Sequence, residues 1–448
     1  MARTGATPTP TARSAAADAV RRIRQRFPPD RTHWPDVTGL DARDAALAGA
    51  ICRHTMQRWS TLEYLLGRHL RRPMRHLEDH AAAVLMTGAA QLLMLDRIPA
   101  HAVVDEAVKL MHTRRKRDLA GLVNAVLRRI AELVGPRRSD RPWSPDPAAL
   151  PLEGGVLELT RPVLPPIEPL DRHLAAATSH PQRLIAAWIE QHGPEVAMQL
   201  ALAGLRQPPT IIAVEPGFMP GGDGPPLRPH DQPGFFIWEG EHQALGPFIR
   251  SHPRRRVQDP AAAEAAACPL QEPPRTIVDC CAGRGTKARQ LATLYPEAAV
   301  FATETDPARF GDLEQAAAMH ANLEAIDAEA LSQRIGRGGA DLLLLDVPCS
   351  NTAVLARRPE ARYRYSDRSV QSLLSLQRCI ITAAVPLLRD GGRLIYSTCS
   401  LQPQENQQQV AWMIRRFGLL FEAERRLLPA GSDAVYHDGA YYALLRST

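Results

Sequence analysis

Leu342-Leu343-Leu344-Leu345-Asp346-Val347-Pro348-Cys349-Ser350-Asn351-Thr352 is the stretch that decides the fold. Four leucines ended by an acid, a proline and small polar residues predict a strand buried on both faces, its carboxyl end opening into a loop. In an open α/β sheet that edge is where ligands bind. Taken alone, the stretch fits a core strand with a capped turn and a buried structural cysteine better than it fits a site.

Its neighbours in the chain add to the same edge. Thr276-Ile277-Val278-Asp279 predicts a short strand that runs into Cys280-Cys281-Ala282-Gly283-Arg284-Gly285-Thr286-Lys287, followed by a helix over Ala288–Leu294. Strand, glycine loop and helix together let backbone amides approach a nucleotide-like ligand closely. A second strand, Ala299–Thr303, ends at Glu304, where an acid can accept hydrogen bonds from ribose hydroxyls. The plainer reading is a solvated acid beside Asp306, the N-cap of a helix that begins at Pro307. A third unit ends near Asp327, and Gly391-Gly392 leads into a strand, Arg393–Thr398, that delivers Cys399. Successive βα units therefore set Gly283, Gly285, Glu304, Asp327, Asp346, Cys349 and Cys399 along one rim of an α/β Rossmann-like sheet. The loop lacks the third glycine of a dinucleotide fingerprint, and a rim of acids and thiols suits S-adenosylmethionine, which has no phosphate.

Composition bounds the rest. The chain has 448 residues, 45% of them hydrophobic and 23% charged, as in globular proteins of about three domains. No apolar run in the sequence approaches the roughly 20 residues of a membrane span. The N-terminus has no secretory signal, so a cytoplasmic location without a membrane partner is expected, with a disordered tail up to about Thr11. Seven scattered cysteines without C-x-x-C spacing argue against a disulfide framework and a zinc ribbon, and no metal site is expected. Residues 1–150 carry 25 Lys and Arg against 15 Asp and Glu, whereas the remainder carries 29 against 33. A basic N-terminal third suggests a polyanion such as nucleic acid, against the alternative of a merely solvated arginine-rich surface.

That third reads as helical: Ala12–Phe27, Ala42–Leu70, Leu77–Leu95, Ala100–Met111 and Asp118–Val134, an all-α bundle. Basic clusters at 21–26, 71–75 and 114–117 fall at helix ends or loops, where they could meet phosphates. Arg97-Ile98-Pro99, Val103-Val104-Asp105-Glu106-Ala107-Val108 and Gly121-Leu122-Val123-Asn124-Ala125-Val126-Leu127-Arg128-Arg129 resemble the NusB family of helical RNA-binding domains, over about residues 12–135. The resemblance implies contact with RNA or a protein partner; the residues themselves show amphipathic helices whose valines fit a core. Residues 136–169 are proline-rich and read as a linker. Residues 170–256 read as a small α+β module, with helices Leu170–Ala176, Gln182–His192 and Pro194–Leu205, strands Thr210–Val214 and Phe235–Trp238, and a loop over 216–233.

Asp279-x-Cys281-Ala282-x-x-Gly285-x-Lys287, Asp346-Val347-Pro348-Cys349-Ser350-Asn351-Thr352 and Tyr396-Ser397-Thr398-Cys399-Ser400-Leu401-x-Pro403-x-Glu405-Asn406 together resemble the RNA cytosine-carbon-5 methyltransferases of the RsmB (Sun/Fmu) type, and Val257-Gln258-Asp259-Pro260 resembles the opening of their catalytic domain. The resemblance implies a class I methyltransferase domain over 257–448 behind the NusB-like bundle. It further implies S-adenosylmethionine as cofactor, small-subunit (16S) ribosomal RNA as substrate in a single-stranded or opened loop, and action as a monomer. By the same resemblance Cys399 is the nucleophile that adds to carbon 6 of cytosine, Cys349 assists release, and Asp346 holds the base. Cys281, Ala282, Gly283, Arg284, Gly285, Thr286, Lys287, Glu304, Asp327 and Asp346 hold the cofactor. Cys281 is otherwise a packing residue, and Arg357-Arg358-Pro359-Glu360 is either surface charge or a phosphate clamp, of which the clamp is favoured.

The chain departs from the family pattern at several positions. Gly283-Arg284 stands for Ala-Pro, Thr286 for a glycine, Asn351 and Ala353 for glycines or small residues, Glu304 for Asp, and Ala213 and Glu215 for Arg and Asn. Two other functions stay open. An amino-group methyltransferase would carry an aromatic that Val347-Pro348-Cys349 lacks, and a non-catalytic RNA-binding factor would not need both thiols and the rim acids.

Overall fold

The computed structural model describes all residues except 1–9, 31–32, 114–115 and 215–225. Most of the expected tail, Arg114 and Arg115 of the basic cluster, Glu215 and much of the 216–233 loop therefore lie outside the described residues. The chain divides into two compact units, residues 1–207 with 355–365, and residues 208–354 with 366–448.

The first unit is built on helices Ala12–Gln25, Ala42–Gln57, Trp59–Gly67, Asp79–Met94, Ala100–Thr113 and Arg117–Ala131. Thr11 and Ser14 form a capping box that starts the first helix. Helix 79–94 is buried from His80 to Leu93, so it is the central member of the bundle. The expected single helix 42–70 breaks at Arg58. Side chains distant in sequence meet the orphaned backbone groups there: the Tyr363 hydroxyl donates to the Met56 carbonyl at 2.8 Å, and Trp59 N–H donates to that hydroxyl at 3.1 Å. Ser179 Oγ accepts from Ser60 N–H at 2.9 Å. No local residue announces such a break.

The stretch read as a linker is instead folded. Val134–Arg138, Ala149–Leu152 and Gly155–Leu159 form an antiparallel sheet with 155–159 in the middle. Pro136 and Pro151 sit in the two edge strands, where a missing N–H costs no ladder bond, and the central strand has no proline. Proline content therefore misled. Helices Leu170–Thr178, Gln182–His192 and Pro194–Ala203 also belong to this unit, so the expected 170–256 module is divided between the two units.

The second unit begins with an antiparallel sheet whose strands lie in the order 227–229, 235–238, 211–214, 255–257. The main sheet has seven strands in the order Leu323–Ala325, Ala299–Ala302, Thr276–Asp279, Ala340–Asp346, Leu388–Thr398, Ala440–Arg446, Leu420–Leu427. Only 440–446 runs antiparallel to its neighbours. The order of connection reverses between 276–279 and 340–346, so the carboxyl ends of these two strands flank the topological switch point. The four leucines are at most 1% exposed. Leu342 and Leu344 pack into one core cluster and Leu343 and Leu345 into the other, a burial on both faces that stabilises by about 2 kcal/mol per side chain. Helix Asp367–Ala384, whose stretch to Leu387 has the length and apolarity of a membrane span, buries Val370, Leu374, Gln377 and Ile381 in this unit.

Candidate active site

Register places both thiols at one spot. Strand 340–346 runs parallel to 388–398 with Leu345 opposite Tyr396 and Asp346 opposite Ser397, so the turns leaving the two strands start side by side. Val347 N–H donates to the Ser397 carbonyl at 3.2 Å and Ala353 N–H to the Cys399 carbonyl at 3.1 Å. Cys349 Sγ and Cys399 Sγ stand 3.2 Å apart, without a disulfide between them. The adjoining Cys399 sulfur and then burial push the Cys349 thiol well above its ordinary pKa, so Cys349 is held as the neutral thiol.

Asn351 holds the pair from one side. Its amide nitrogen donates to the Cys349 carbonyl at 2.8 Å and its Oδ1 accepts from Cys399 Sγ at 3.1 Å. It has a φ of +58°, a backbone conformation that glycine and asparagine tolerate best. Asn351 thus fits the left-handed turn and adds an amide that reaches the sulfur.

Beside the thiols, Lys287 Nζ pairs with Asp346 Oδ2 at 2.5 Å, and Ser397 Oγ donates to Asp346 Oδ1 at 3.0 Å. Burial works to lower the Lys287 pKa, but Asp346 outweighs it and the ammonium is held above its usual value. Asp279 ends the neighbouring strand with no exposed surface. Burial, with the Asp346 charge behind it, raises its pKa to about 7 against the pull of Lys287.

The glycine loop has the expected form. Helix 286–294 starts from Gly285, which has a φ of +81° and whose added Cβ would stand 2.8 Å from Leu313 Cδ1. Gly283, at +58°, faces open space, and Ala282 N–H donates to the Thr303 carbonyl at 3.0 Å. Burial, with Cys280 second, pushes the Cys281 thiol well up, which fits the packing role. Arg284 turns outward to Asp312 at 3.2 Å. Glu304 Oε1 accepts from the N–H groups of Thr305 and Asp306 at 2.8 and 2.9 Å, leaving its other oxygen toward Arg309 at 3.4 Å. Asp327 is exposed and its Oδ1 caps helix 328–335. The structure thus brings Cys349 to Cys399 and Lys287 to Asp346 at the ends of neighbouring strands, and sets Arg284 and Asp327 into local surface roles.

S-adenosylmethionine fits this rim on two counts. Asp279 Oδ2 and Thr303 Oγ1 are buried polar atoms without a hydrogen-bond partner among the described residues, a costly state unless a ligand meets them. The space above Gly283 admits a ligand against the loop backbone. Asp279 was not named among the site residues, although it ends an apolar strand directly before the loop and opens the first of the quoted motifs. Ser350, Ser400 and Glu405, which cluster by the thiols, stand in the other two quoted motifs but were given no role.

Comparison with known proteins agrees with this geometry. Residues 269–429 match the family model described as 16S rRNA methyltransferase RsmB/F, and residues 10–132 match the NusB family. "Ribosomal RNA small subunit methyltransferase B" of Erwinia tasmaniensis is 27% identical over 90% of this chain and 90% of its own. Its namesake from Salmonella paratyphi B is 27% identical over 97% and 98%. The crystal structure of PH0851 shares the fold with a TM-score of 0.71 at 18% identity, covering 96% of this chain and 98% of that one. A methyltransferase homolog from Pyrococcus horikoshii covers 63% of this chain and all of its own at a TM-score of 0.51 and 18% identity. With its glycine loop and paired cysteine turns, the chain carries an RsmB/F-type methyltransferase domain behind a NusB domain and is an S-adenosylmethionine-dependent RNA methyltransferase.

Proposed function

We propose that the chain methylates carbon 5 of a cytosine in small-subunit ribosomal RNA through a covalent adduct on Cys399. The observation that carries the reading is the thiol pair, 3.2 Å between sulfurs, beside the Lys287–Asp346 ion pair. Carbon 5 of cytosine is too weak a nucleophile by itself. Addition of the Cys399 thiolate at carbon 6 moves electron density onto the ring and makes carbon 5 an enamine carbon. S-adenosylmethionine, when bound, supplies the electrophilic methyl group. Asp279, Thr303 and the 281–287 loop are the residues that would hold it, with Glu304 and Asp327 at the neighbouring strand ends. Asp346 and Lys287 face the base edge with one acceptor and one donor, which fits N3 and the exocyclic groups as charge builds there. For release, the carbon 5 proton passes to solvent and the bond from carbon 6 to sulfur breaks with its electron pair on Cys399. The neutral Cys349 thiol stands where it can donate to that departing sulfur.

The names of the curated relatives support ribosomal RNA as the substrate, which puts the work in the cytoplasm. The base must be unstacked to reach a sulfur at a strand end, so an opened loop is the target form. The basic N-terminal third supports the NusB domain as the part that docks RNA. Every group named comes from one chain, which supports action as a monomer.

The test uses purified protein, S-adenosylmethionine and unmodified small-subunit ribosomal RNA. Wild-type protein is expected to leave 5-methylcytosine, read by bisulfite sequencing. Cys349→Ala is expected to accumulate a protein–RNA adduct that survives denaturing electrophoresis, with turnover lowered by roughly 10²-fold. A Cys349→Ala protein that turns over normally without any adduct would refute the two-thiol scheme.

A further inference from the structure

Under the two thiols lies a carboxylate that the proposed reaction does not use. Glu405 has no exposed surface, and each of its oxygens takes two donors. Oε1 accepts from Ser350 N–H at 2.9 Å and from Gln377 Nε2 at 3.1 Å. Oε2 accepts from Ser400 Oγ at 2.6 Å and from Ser350 Oγ. Ser350 follows Cys349 and Ser400 follows Cys399. One buried side chain therefore grips the residue after each thiol, and the two serine hydroxyls are themselves 3.0 Å apart.

We propose that Glu405 is the positioning residue that holds the Cys349 turn against the Cys399 turn, so that release keeps pace with addition. This rests on the two-thiol reading above. The two turns do not depend on Glu405 equally. The Cys399 turn has other anchors: Asn406 Nδ2 donates to the Ser400 carbonyl at 2.8 Å, and Thr398 Oγ1 donates to Asn406 Oδ1 at 2.5 Å. The Cys349 turn is tied at its two ends by Val347 and Ala353 and at the Cys349 carbonyl by Asn351, but Ser350, next to the thiol, gives both its N–H and its hydroxyl to Glu405. Gln377, which holds the Pro348 carbonyl at 2.9 Å, is itself oriented by Glu405 Oε1. Loss of the carboxylate loosens the turn at Ser350, beside Cys349, while Cys399 stays at its strand end. Addition then continues and release slows.

Carboxylate and amide are not equivalent here. Four donors converge on Glu405. A glutamine can keep its oxygen toward Ser350 N–H and Gln377, which only donate at these contacts, and turn its NH₂ toward the two serine hydroxyls, which can rotate to accept. Glu405→Gln therefore keeps the shape and most of the bonds, and Glu405→Ala keeps neither.

The experiment follows adduct and 5-methylcytosine together in wild-type, Cys349→Ala, Glu405→Ala and Glu405→Gln proteins, with melting temperature and S-adenosylmethionine affinity measured on each. For Glu405→Ala, turnover should fall about 10²-fold, the scale set by a misplacement of about 1 Å, while adduct accumulates toward the Cys349→Ala level. Glu405→Gln should recover to within about tenfold of wild type, with a smaller adduct excess. A purely structural role would lower adduct and product in parallel, and that result overturns the proposal, as does wild-type turnover in folded Glu405→Ala. If Glu405→Ala does not fold, Glu405→Gln decides: an adduct fraction above wild type supports the proposal and none overturns it. Adduct in Cys349→Ala but in neither Glu405 variant removes this inference alone. No adduct in Cys349→Ala removes the two-thiol reading and this inference with it.

Discussion

Cys399→Ala protein is expected to lose methyl transfer by at least roughly 10⁴-fold and to form no covalent adduct with RNA, while binding S-adenosylmethionine as before. The size of the loss follows from the chemistry. Without a sulfur to add at carbon 6, carbon 5 keeps its aromatic character and no neighbouring group replaces the missing electron density. Cys349 is the only other sulfur in contact with Cys399 among the described residues, but it is held as the neutral thiol and is a poor substitute nucleophile. The cofactor side is untouched, because Asp279 and the glycine loop belong to a different strand. Radiolabelled methyl transfer to unmodified ribosomal RNA is the measurement, and residual activity above about 1% of wild type would be incompatible with Cys399 as the nucleophile.

The second large effect is on stability. Arg362→Ala is expected to destabilise the helical unit by about 3–5 kcal/mol, seen as a lowered denaturant midpoint for that unit. Arg362 has no exposed surface, and its guanidinium donates to the carbonyls of Pro359, Gln57, Thr178, Gly204 and Leu355 at 2.7–3.4 Å. Burial pulls its pKa down, as it does for the nearby buried Arg58, lowered to about 9 by burial and then by Arg362 itself. These carbonyl dipoles compensate a charge removed from water, and truncation takes the guanidinium from all five. A Cβ on Gly204 would stand 3.3 Å from the guanidinium and 2.9 Å from His180 Nε2, so the backbone comes close to make these bonds. A loss below about 1 kcal/mol would show that water or rearrangement replaces the guanidinium at little cost.

Arg362 also marks the limit of what could be read from sequence. Arg357-Arg358-Pro359-Glu360 looked like a clamp or surface charge, and two residues further on the same charged run holds Arg362, an arginine with no exposed surface. A run of charges says nothing about carbonyls that converge on it from residues 57, 178 and 204, because those contacts are set by tertiary packing. The break at Arg58 has the same origin, in Tyr363 and Ser179. The five parallel strands from 276 to 398 were legible because their information is local, apolar runs that end in acids and crossovers that force the parallel order, whereas strands 420–427 and 440–446 were not read. Leu342–Leu345 and the glycine loop fall as expected, and Cys349 meets Cys399 because their strands are neighbours. Less visible was how each acid spends its oxygens. Glu304 and Asp327 are largely engaged with backbone N–H groups of the turns they begin, whereas Asp279 keeps a buried oxygen without a partner. A sequence shows the carboxylate but not the donors around it.

Direct mapping of the covalent bond tests the central claim. The adduct of Cys349→Ala protein with ribosomal RNA, digested with protease and nuclease, should give one modified peptide in tandem mass spectrometry, with a 5-methylated cytosine nucleotide attached through carbon 6 to the sulfur of Cys399. A nucleotide attached at any other residue, or a methylated product formed in full yield while Cys399 remains free throughout, would contradict the account.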